Sequence, residues 1–349
     1  MATRFETKKI KIGNKIIGGG FPIAVQSMLF KRPDDIEGNV AQAIETEKAG
    51  CDILRVSIPN DDAVKLIEPI KSAINIPLVA DIHFDYKLAI KSIENGIDKI
   101  RINPGNIGSE EKVKELARLC NLKNIPIRIG VNSGSVEKDL LKKYGSPTAE
   151  AMVESAMGHV RLLNKYDFDN IVLSIKSSDP KTTVLANRLM AEQTNYPLHL
   201  GVTEAGTERM GIIKSSAALG SLLIDDIGDT LRVTLTEELV KEIEAGKDLL
   251  RGLGLSHGAR VISCPTCGRT TIDIIGLTKK VESLLKGYTK DIKVAVMGCA
   301  VNGPGEAREA DIGIAAGGGK AMLFKKDQII GKFDESEILD VLMKEIQLL

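Results

Sequence analysis

No excess of either charge marks this chain: 47 Lys and Arg balance 47 Asp and Glu. That argues against a strongly electrostatic nucleic-acid binder, which depends on a surplus of basic side chains. Apolar runs of membrane-spanning length are missing, and the opening residues MATRFETKK lack the apolar core of a secretion signal. The expectation is a soluble, cytoplasmic protein with neither membrane nor nucleic acid among its partners. Cysteines number only five. In a reducing compartment they serve as ligands, reactive thiols or buried apolar residues rather than as disulfides. What is present is 43% hydrophobic residues over a chain of 349, enough for one large domain and a smaller one.

From Ile23 to Leu250 short β-branched runs that end in polar residues alternate with amphipathic stretches. The runs span Ile23 to Met28, Ile53 to Ile58, Pro77 to Phe84, Asp98 to Gly105, Pro126 to Gly134, Asn170 to Ser178, Pro197 to Gly206 and Asp229 to Thr236. Eight strand–helix units in series are the count that closes a (β/α)₈ TIM barrel, with a doubly wound open sheet as the competing layout. KKIKIGNKIIGG, before the first unit, reads as a hairpin able to plug the barrel floor. The rhythm breaks at the glycine-rich RGLGLSHGAR, so the expected division is a barrel over 1–250, a linker over 251–260 and a smaller α+β domain over 261–349. In the smaller domain DIKVAVMGC reads as a strand and ADIGIAAGGGKAMLFKKDQIIGKF as a glycine-broken hairpin. DESEILDVLMKEIQLL reads as a helix with Asp334 or Ser336 as N-cap.

Barrel chemistry sits at the C-terminal ends of the strands. Those ends carry Arg55, Asp81 with His83, Arg101 with Asn103, Arg128 with Asn132, Lys176, Glu204 and Arg232. Arginines and a lysine from different strands converging on one volume require anions, and guanidinium groups suit bidentate phosphate recognition. A substrate with two phosphate groups fits. The bland alternative is a ring of structural ion pairs with Asp52, Asp81 or Asp98. Glu204, in GVTEAG, is a carboxylate among cations and a candidate proton donor or acceptor. His159, Cys51 and Cys120 read as buried structural residues.

The C-terminal region carries CPTCGRT, with Cys264 and Cys267, and then GCAVNGPGE, with Cys299 and Glu306. A CxxC followed by Gly is common in zinc ribbons, but a ribbon needs a second such pair, and His257 stands at a poor spacing. Three thiolates and one carboxylate suit a site-differentiated [4Fe–4S] cluster better, with an exchangeable oxygen ligand on the fourth iron. A zinc-stapled barrel acting on RNA is the rival reading, and the neutral charge and absent fourth ligand weigh against it.

These segments carry a resemblance. IAVQSM, ADIHFDY, KIRINPGN, IRIGVNSGS, GVTEAG, GDTLRVTLT, CPTCGRT and MGCAVNGPGEAREADIGIA are similar, nearly end to end, to the bacterial 4-hydroxy-3-methylbut-2-enyl diphosphate synthase family. The resemblance implies a dihydropteroate-synthase-like barrel joined to a domain similar to part of sulfite and nitrite reductases. It implies a [4Fe–4S] cluster on Cys264, Cys267 and Cys299 with Glu306 as displaceable ligand. The implied substrate is 2-C-methyl-D-erythritol 2,4-cyclodiphosphate, bound by Arg55, His83, Arg101, Asn103, Arg128, Asn132, Lys176, Arg232 and Thr234, with Glu204 as the essential barrel carboxylate. Ferredoxin or flavodoxin is the implied electron donor. A homodimer is also implied, in which the cluster domain of one subunit closes the barrel of the other. Two departures stand out: Leu29-Phe30-Lys31-Arg32 replaces the usual polar stretch after QSM, and Thr234 replaces a usual serine.

Overall fold

Two compact units divide the chain, Met1–Leu253 and Gly254–Leu349. The structure, a computed structural model, describes residues 1–83, 85–103, 109–299, 305, 308–317, 319–326 and 328–349.

In the first unit a hairpin of β1 (Ile10–Ile12) and β2 (Lys15–Ile17) precedes eight barrel strands. These are β3 (Ala24–Met28), β4 (Ile53–Ser57), β5 (Leu78–Asp81), β6 (Lys99–Ile102), β7 (Ile127–Asn132), β8 (Ile171–Lys176), β9 (His199–Leu200) and β10 (Thr230–Leu231). All pair in parallel, in the order β8-β7-β6-β5-β4-β3-β10-β9. A bridge between Leu173 and Leu198, with the Leu173 N–H donating to Pro197 O at 2.9 Å, joins the two ends and closes the ring. The strands are short Ile/Val runs because both faces are covered, and β8 is buried at every position.

The helices are α1 (Ile36–Lys48), α2 (Asp61–Val64), α3 (Ile67–Ala73), α4 (Tyr86–Glu94), α5 (Glu110–Lys123), α6 (Lys138–Tyr144), α7 (Ala149–Asn164), α8 (Pro180–Gln193), α9 (Glu208–Ile224) and α10 (Leu239–Gly252). Their starts are written locally. Asp179 caps α8 by accepting the Thr182 N–H at 2.7 Å, and Pro180 supplies a preset first turn. Losing such a cap costs about 1 kcal/mol. The hairpin plugs the barrel floor, where Ile10, Ile12 and Ile17 pack on Ala24, Ile53, Val79 and Val172. The ladders of β9 and β10 are two residues long, shorter than the runs the sequence suggests. At Gly201, just past β9, an added Cβ would lie 2.5 Å from Lys176 Nζ, so the chain there passes close against an inward side chain.

The second unit is a five-stranded sheet in sequence order: β11 (Ala259–Ser263), β12 (Ile292–Met297), β13 (Ile312–Gly317), β14 (Lys320–Lys325) and β15 (Gln328–Asp334). The first pairings are parallel and the last antiparallel. Helices α11 (Ile274–Leu284) and α12 (Ile338–Gln347) cover one face, with Val281, Leu342 and Ile346 packing among Val294, Val296, Ile312 and Ile314. The segment expected as one hairpin is thus a three-stranded meander over β13–β15, turning again after Lys325. Neither Asp334 nor Ser336 caps α12. Asp334 completes β15, Glu337 occupies the cap position without a side-chain bond, and its N–H donates to Asp334 O at 3.0 Å. Among the described residues no helix is long and apolar enough to cross a membrane.

Candidate active site

Strand alternation turns every second barrel residue inward. Ala24, Ile53, Val79 and Val172 face the hairpin floor, so two residues further along the same strands stand Gln26, Arg55, Asp81 and Ser174. The lining changes there from apolar to polar and charged.

Asp81 is the hub of one group. Its Oδ1 accepts from Arg101 Nη1 at 3.0 Å, and its Oδ2 lies 3.7 Å from Arg55 Nε and 3.6 Å from His83 Nε2. Burial opposes its charge, but Arg55, the His83 hydrogen bond and Arg101 outweigh burial and hold the carboxyl well below the usual carboxylate range. Arg55 also rests on Met28, whose sulfur accepts from Nε at 3.0 Å and Nη2 at 2.7 Å. Burial, joined by repulsion from Arg232 and Arg101, draws Arg55 down to about 10 in spite of Asp81. A second group centres on buried Glu242 of α10. It accepts from Arg232 Nε and Nη2 at 3.0 Å each, from Ser27 Oγ at 2.7 Å and from the Leu235 N–H at 3.0 Å.

Both acids are therefore engaged, while Lys99, Arg128 and Lys176 have no acidic partner among the described residues. Arg128 is 1% exposed, and its Nε and Nη1 lack hydrogen-bond partners among those residues. Lys176 Nζ stands 3.2 Å from His199 Nε2, and His199 Nδ1 stands 2.8 Å from Thr230 Oγ1. With Lys176 donating, His199 accepts at Nε2 and carries its proton on Nδ1, toward Thr230. Burial, followed by Lys176 and Arg128, pushes His199 well below its ordinary range and keeps it neutral. Gly130 makes room for the cations in the same way as Gly201, since a Cβ there would meet Arg101 Nε at 2.5 Å.

The other candidates lie around this cluster. Asn103 is buried directly after β6, and Thr234 is half-buried beyond Arg232. The Asn132 N–H donates to Ser135 Oγ at 3.0 Å at the end of β7. Glu204 is exposed between β9 and α9 and makes no ion pair with a described residue. Its φ of +52° lies in the left-handed region, which costs a non-glycine residue about 1 kcal/mol and is often found at functional sites. Of the acids proposed as structural partners, only Asp81 pairs with arginines; Asp52 binds Lys15 and Lys247, and Asp98 binds Lys71. His159 is buried on α7 with Nε2 2.9 Å from Glu137 Oε1. Cys51 and Cys120 are buried, and burial pushes Cys51 up to about 12 and Cys120 higher, as expected of inert packing thiols. Lys99, His199 and Glu242 join the site without having stood out in the sequence. Alternation from Arg101 and Gly201 signals the first two, whereas Glu242 meets Arg232 from helix α10, on the side of the wall that Ser27 faces, and leaves no local signal.

In the second unit β11 and β12 run parallel with Ser263 opposite Val296, so both cysteine loops leave the same sheet end. The Gly298 N–H donates to Cys264 Sγ at 3.1 Å, and the Thr271 N–H donates to Gly298 O at 3.2 Å. Cys267 is exposed, and its N–H donates to Thr270 Oγ1 at 3.3 Å. The Arg269 backbone N–H, then the Thr270 hydroxyl and the Arg269 side chain, hold its thiol below the ordinary value. Cys299 is half-buried and directly follows Gly298. A sulfur accepting a backbone N–H beside a thiol biased toward thiolate is donor chemistry that fits an iron–sulfur centre. Among the described residues no three His, Cys, Asp or Glu side chains are gathered closely enough to hold a metal, and Glu306 lies outside those residues.

Comparison with known proteins accounts for both units. The GcpE TIM-barrel domain matches residues 7–247 and the GcpE protein C-terminal domain matches residues 260–348. A protein of Clostridium perfringens named 4-hydroxy-3-methylbut-2-en-1-yl diphosphate synthase (flavodoxin) is 55% identical over 345 residues, 99% of each chain. One of the same name from Fusobacterium nucleatum is 55% identical over 341 residues, 97% of this chain and 96% of the other. Among solved structures, dihydropteroate synthase from Stenotrophomonas maltophilia aligns with a TM-score of 0.51 at 14% identity, over 70% of this chain and 98% of that one. That likeness concerns the barrel fold alone. With both of its domains matched in order over nearly the whole sequence, the chain belongs to the GcpE family.

Proposed function

We propose that this chain reduces 2-C-methyl-D-erythritol 2,4-cyclodiphosphate to 4-hydroxy-3-methylbut-2-enyl diphosphate, in the synthesis of isoprenoid precursors, with electrons from flavodoxin or ferredoxin. The observation that carries this reading is the unanswered guanidinium of Arg128, buried beside Arg55 and Arg101, whose shared acid is already engaged. The name shared by relatives at 55% identity supports it independently. In the reaction a ring carbon–oxygen bond breaks, two electrons and two protons enter, and one water leaves.

Arg55, Arg101, Arg128, Lys176 and Arg232 hold the phosphoryl groups, and His83, Asn103, Asn132 and Thr234 complete the polar lining. Asp81 and Glu242 fix three of these guanidinium groups in advance, so little reorganisation accompanies ligand entry. Glu204, on its strained turn, delivers a proton to the departing oxygen. Cys264, Cys267 and Cys299, with Glu306 as displaceable ligand, would hold a [4Fe–4S] cluster, which would supply one-electron transfers and Lewis-acid chemistry. The Gly298 N–H directed at Cys264 Sγ is the kind of bond that tunes a cluster thiolate. The working form is a cytoplasmic homodimer.

The test is metal analysis of anaerobically purified protein together with calorimetric titration of the cyclic diphosphate. About four irons and four sulfides per chain with saturable binding support the proposal. One zinc without sulfide, and no binding, overturns it.

A further inference from the structure

The barrel interior can be read strand by strand. Gln26 and Met28 come from β3, Arg55 from β4, Asp81 from β5, Lys99 and Arg101 from β6, Arg128 from β7, Lys176 from β8, His199 from β9 and Arg232 from beyond β10, with Glu242 of α10 holding Arg232 from the helix side of the wall. Below them the floor is apolar. Asp81 is taken by Arg55 and Arg101, and Glu242 by Arg232. Guanidinium groups keep their charge under ordinary conditions, so relief from mutual repulsion falls to the amines.

Lys99 lies two residues deeper than Arg101 on the same strand face. It is 0% exposed, and its Nζ has no hydrogen-bond partner among the described residues. Gln26 shows the same pattern, with both polar atoms unpartnered. Lys176 differs, since His199 lies within reach of its amine.

We propose that Lys99 is a further residue of the anion site: an interior amine that stays uncharged in the free protein and takes a proton from solvent as a doubly phosphorylated ligand enters, so that binding and protonation are one event. This rests on the proposed reading of the barrel mouth as a diphosphate site. Burial, then Arg128 and Arg55, push the Lys99 amine well below its ordinary value. Two negative charges arriving among the arginines reverse that field. The step balances as one amine and one solvent proton giving one ammonium. The ligand does not itself take up the proton, because a cyclic diphosphate carries one strongly acidic group per phosphorus and both are ionised far below neutral pH.

The experiment is calorimetric titration of the full-length, anaerobically purified protein with the cyclic diphosphate, in buffers of equal pH and different ionisation enthalpy. The expected result is uptake of about one proton per ligand bound, with affinity falling up to about tenfold for each unit of rising pH. Lys99→Met and Lys99→Gln exchange one uncharged side chain for another, so they are expected to fold with an unchanged or higher Tm and to lose the proton uptake. Binding without buffer-dependent heat in the wild type overturns the proposal and leaves the proposed function standing; absence of binding overturns that function instead. Uptake that persists in the folded variants assigns the proton to Lys176 or His199 and overturns the role of Lys99. Failure of both variants to fold counts against an uncharged, unpartnered amine.

Discussion

Glu242 accepts both arms of the Arg232 guanidinium at 3.0 Å each, across the join between helix α10 and the barrel wall. Ser27 and the Leu235 N–H occupy its remaining lone pairs, so the carboxylate is saturated and only 2% exposed. Removing one partner of such a pair strands the other. Glu242→Gln is expected to lower stability by about 3 kcal/mol in urea unfolding and to raise KM, as Arg232 loses its orientation. Unchanged stability would show that the pair is not held in solution.

Arg128 presents the opposite case. It is buried beside other cations and forms no ion pair with a described residue, so it costs the free protein stability while serving the ligand. Arg128→Met is expected to leave Tm unchanged or raise it, and to weaken binding of the cyclic diphosphate by about 100-fold. A fall in both stability and affinity would mark Arg128 as structural.

Glu204 stands exposed in a left-handed conformation at the turn after β9. If it moves the proton that releases water, Glu204→Gln should retain substrate affinity and lower kcat by about 10²- to 10⁴-fold. Full turnover in that variant removes the assignment.

Stability should also carry a pH signature from Asp229, which accepts from Thr7 Oγ1 at 2.8 Å and the Leu198 N–H at 2.9 Å. Burial raises it to about 6, against the resisting hydrogen bonds. The folded protein then holds a proton that the unfolded chain releases near pH 4. Stability from this group is thus fully present below about pH 4 and is lost as pH rises toward about 6, by roughly 3 kcal/mol. Asparagine can keep both contacts, so the difference between wild type and Asp229→Asn should follow that window in denaturant titrations at several pH values. A difference that does not vary with pH refutes it.

The cysteines divide by environment. Cys264→Ser, Cys267→Ser and Cys299→Ser are each expected to lose iron on anaerobic purification. Cys51→Ala and Cys120→Ala should keep the iron and cost about 1 kcal/mol each in packing. Iron retained in all three serine variants would remove the thiols from the metal site.

Much of this was legible in the sequence because two periodicities write it directly. Ile/Val runs of strand length mark the barrel, and alternation from Ile53 to Arg55 or from Val79 to Asp81 turns the charges inward. The floor hairpin is equally local, with Ile10, Ile12 and Ile17 on one face. What the sequence conceals is set by distance along the chain. Glu242 reaches Ser27 across 215 positions, and no spacing rule anticipates that bond. Lys99 had a visible signal, but a lysine inside an apolar run reads as a surface residue until the strand is known to be covered on both sides. The meander over β13–β15 looked like one hairpin because its second turn, after Lys325, lies between two short lysine-bearing runs.

The central claim is reductive opening of a cyclic diphosphate, and phosphorus NMR of that substrate with the anaerobic protein and reduced flavodoxin tests it most directly. The account predicts that the cyclic diphosphate resonances give way to those of linear 4-hydroxy-3-methylbut-2-enyl diphosphate only when reductant is present. An unchanged spectrum from protein carrying its full complement of iron and sulfide would contradict it.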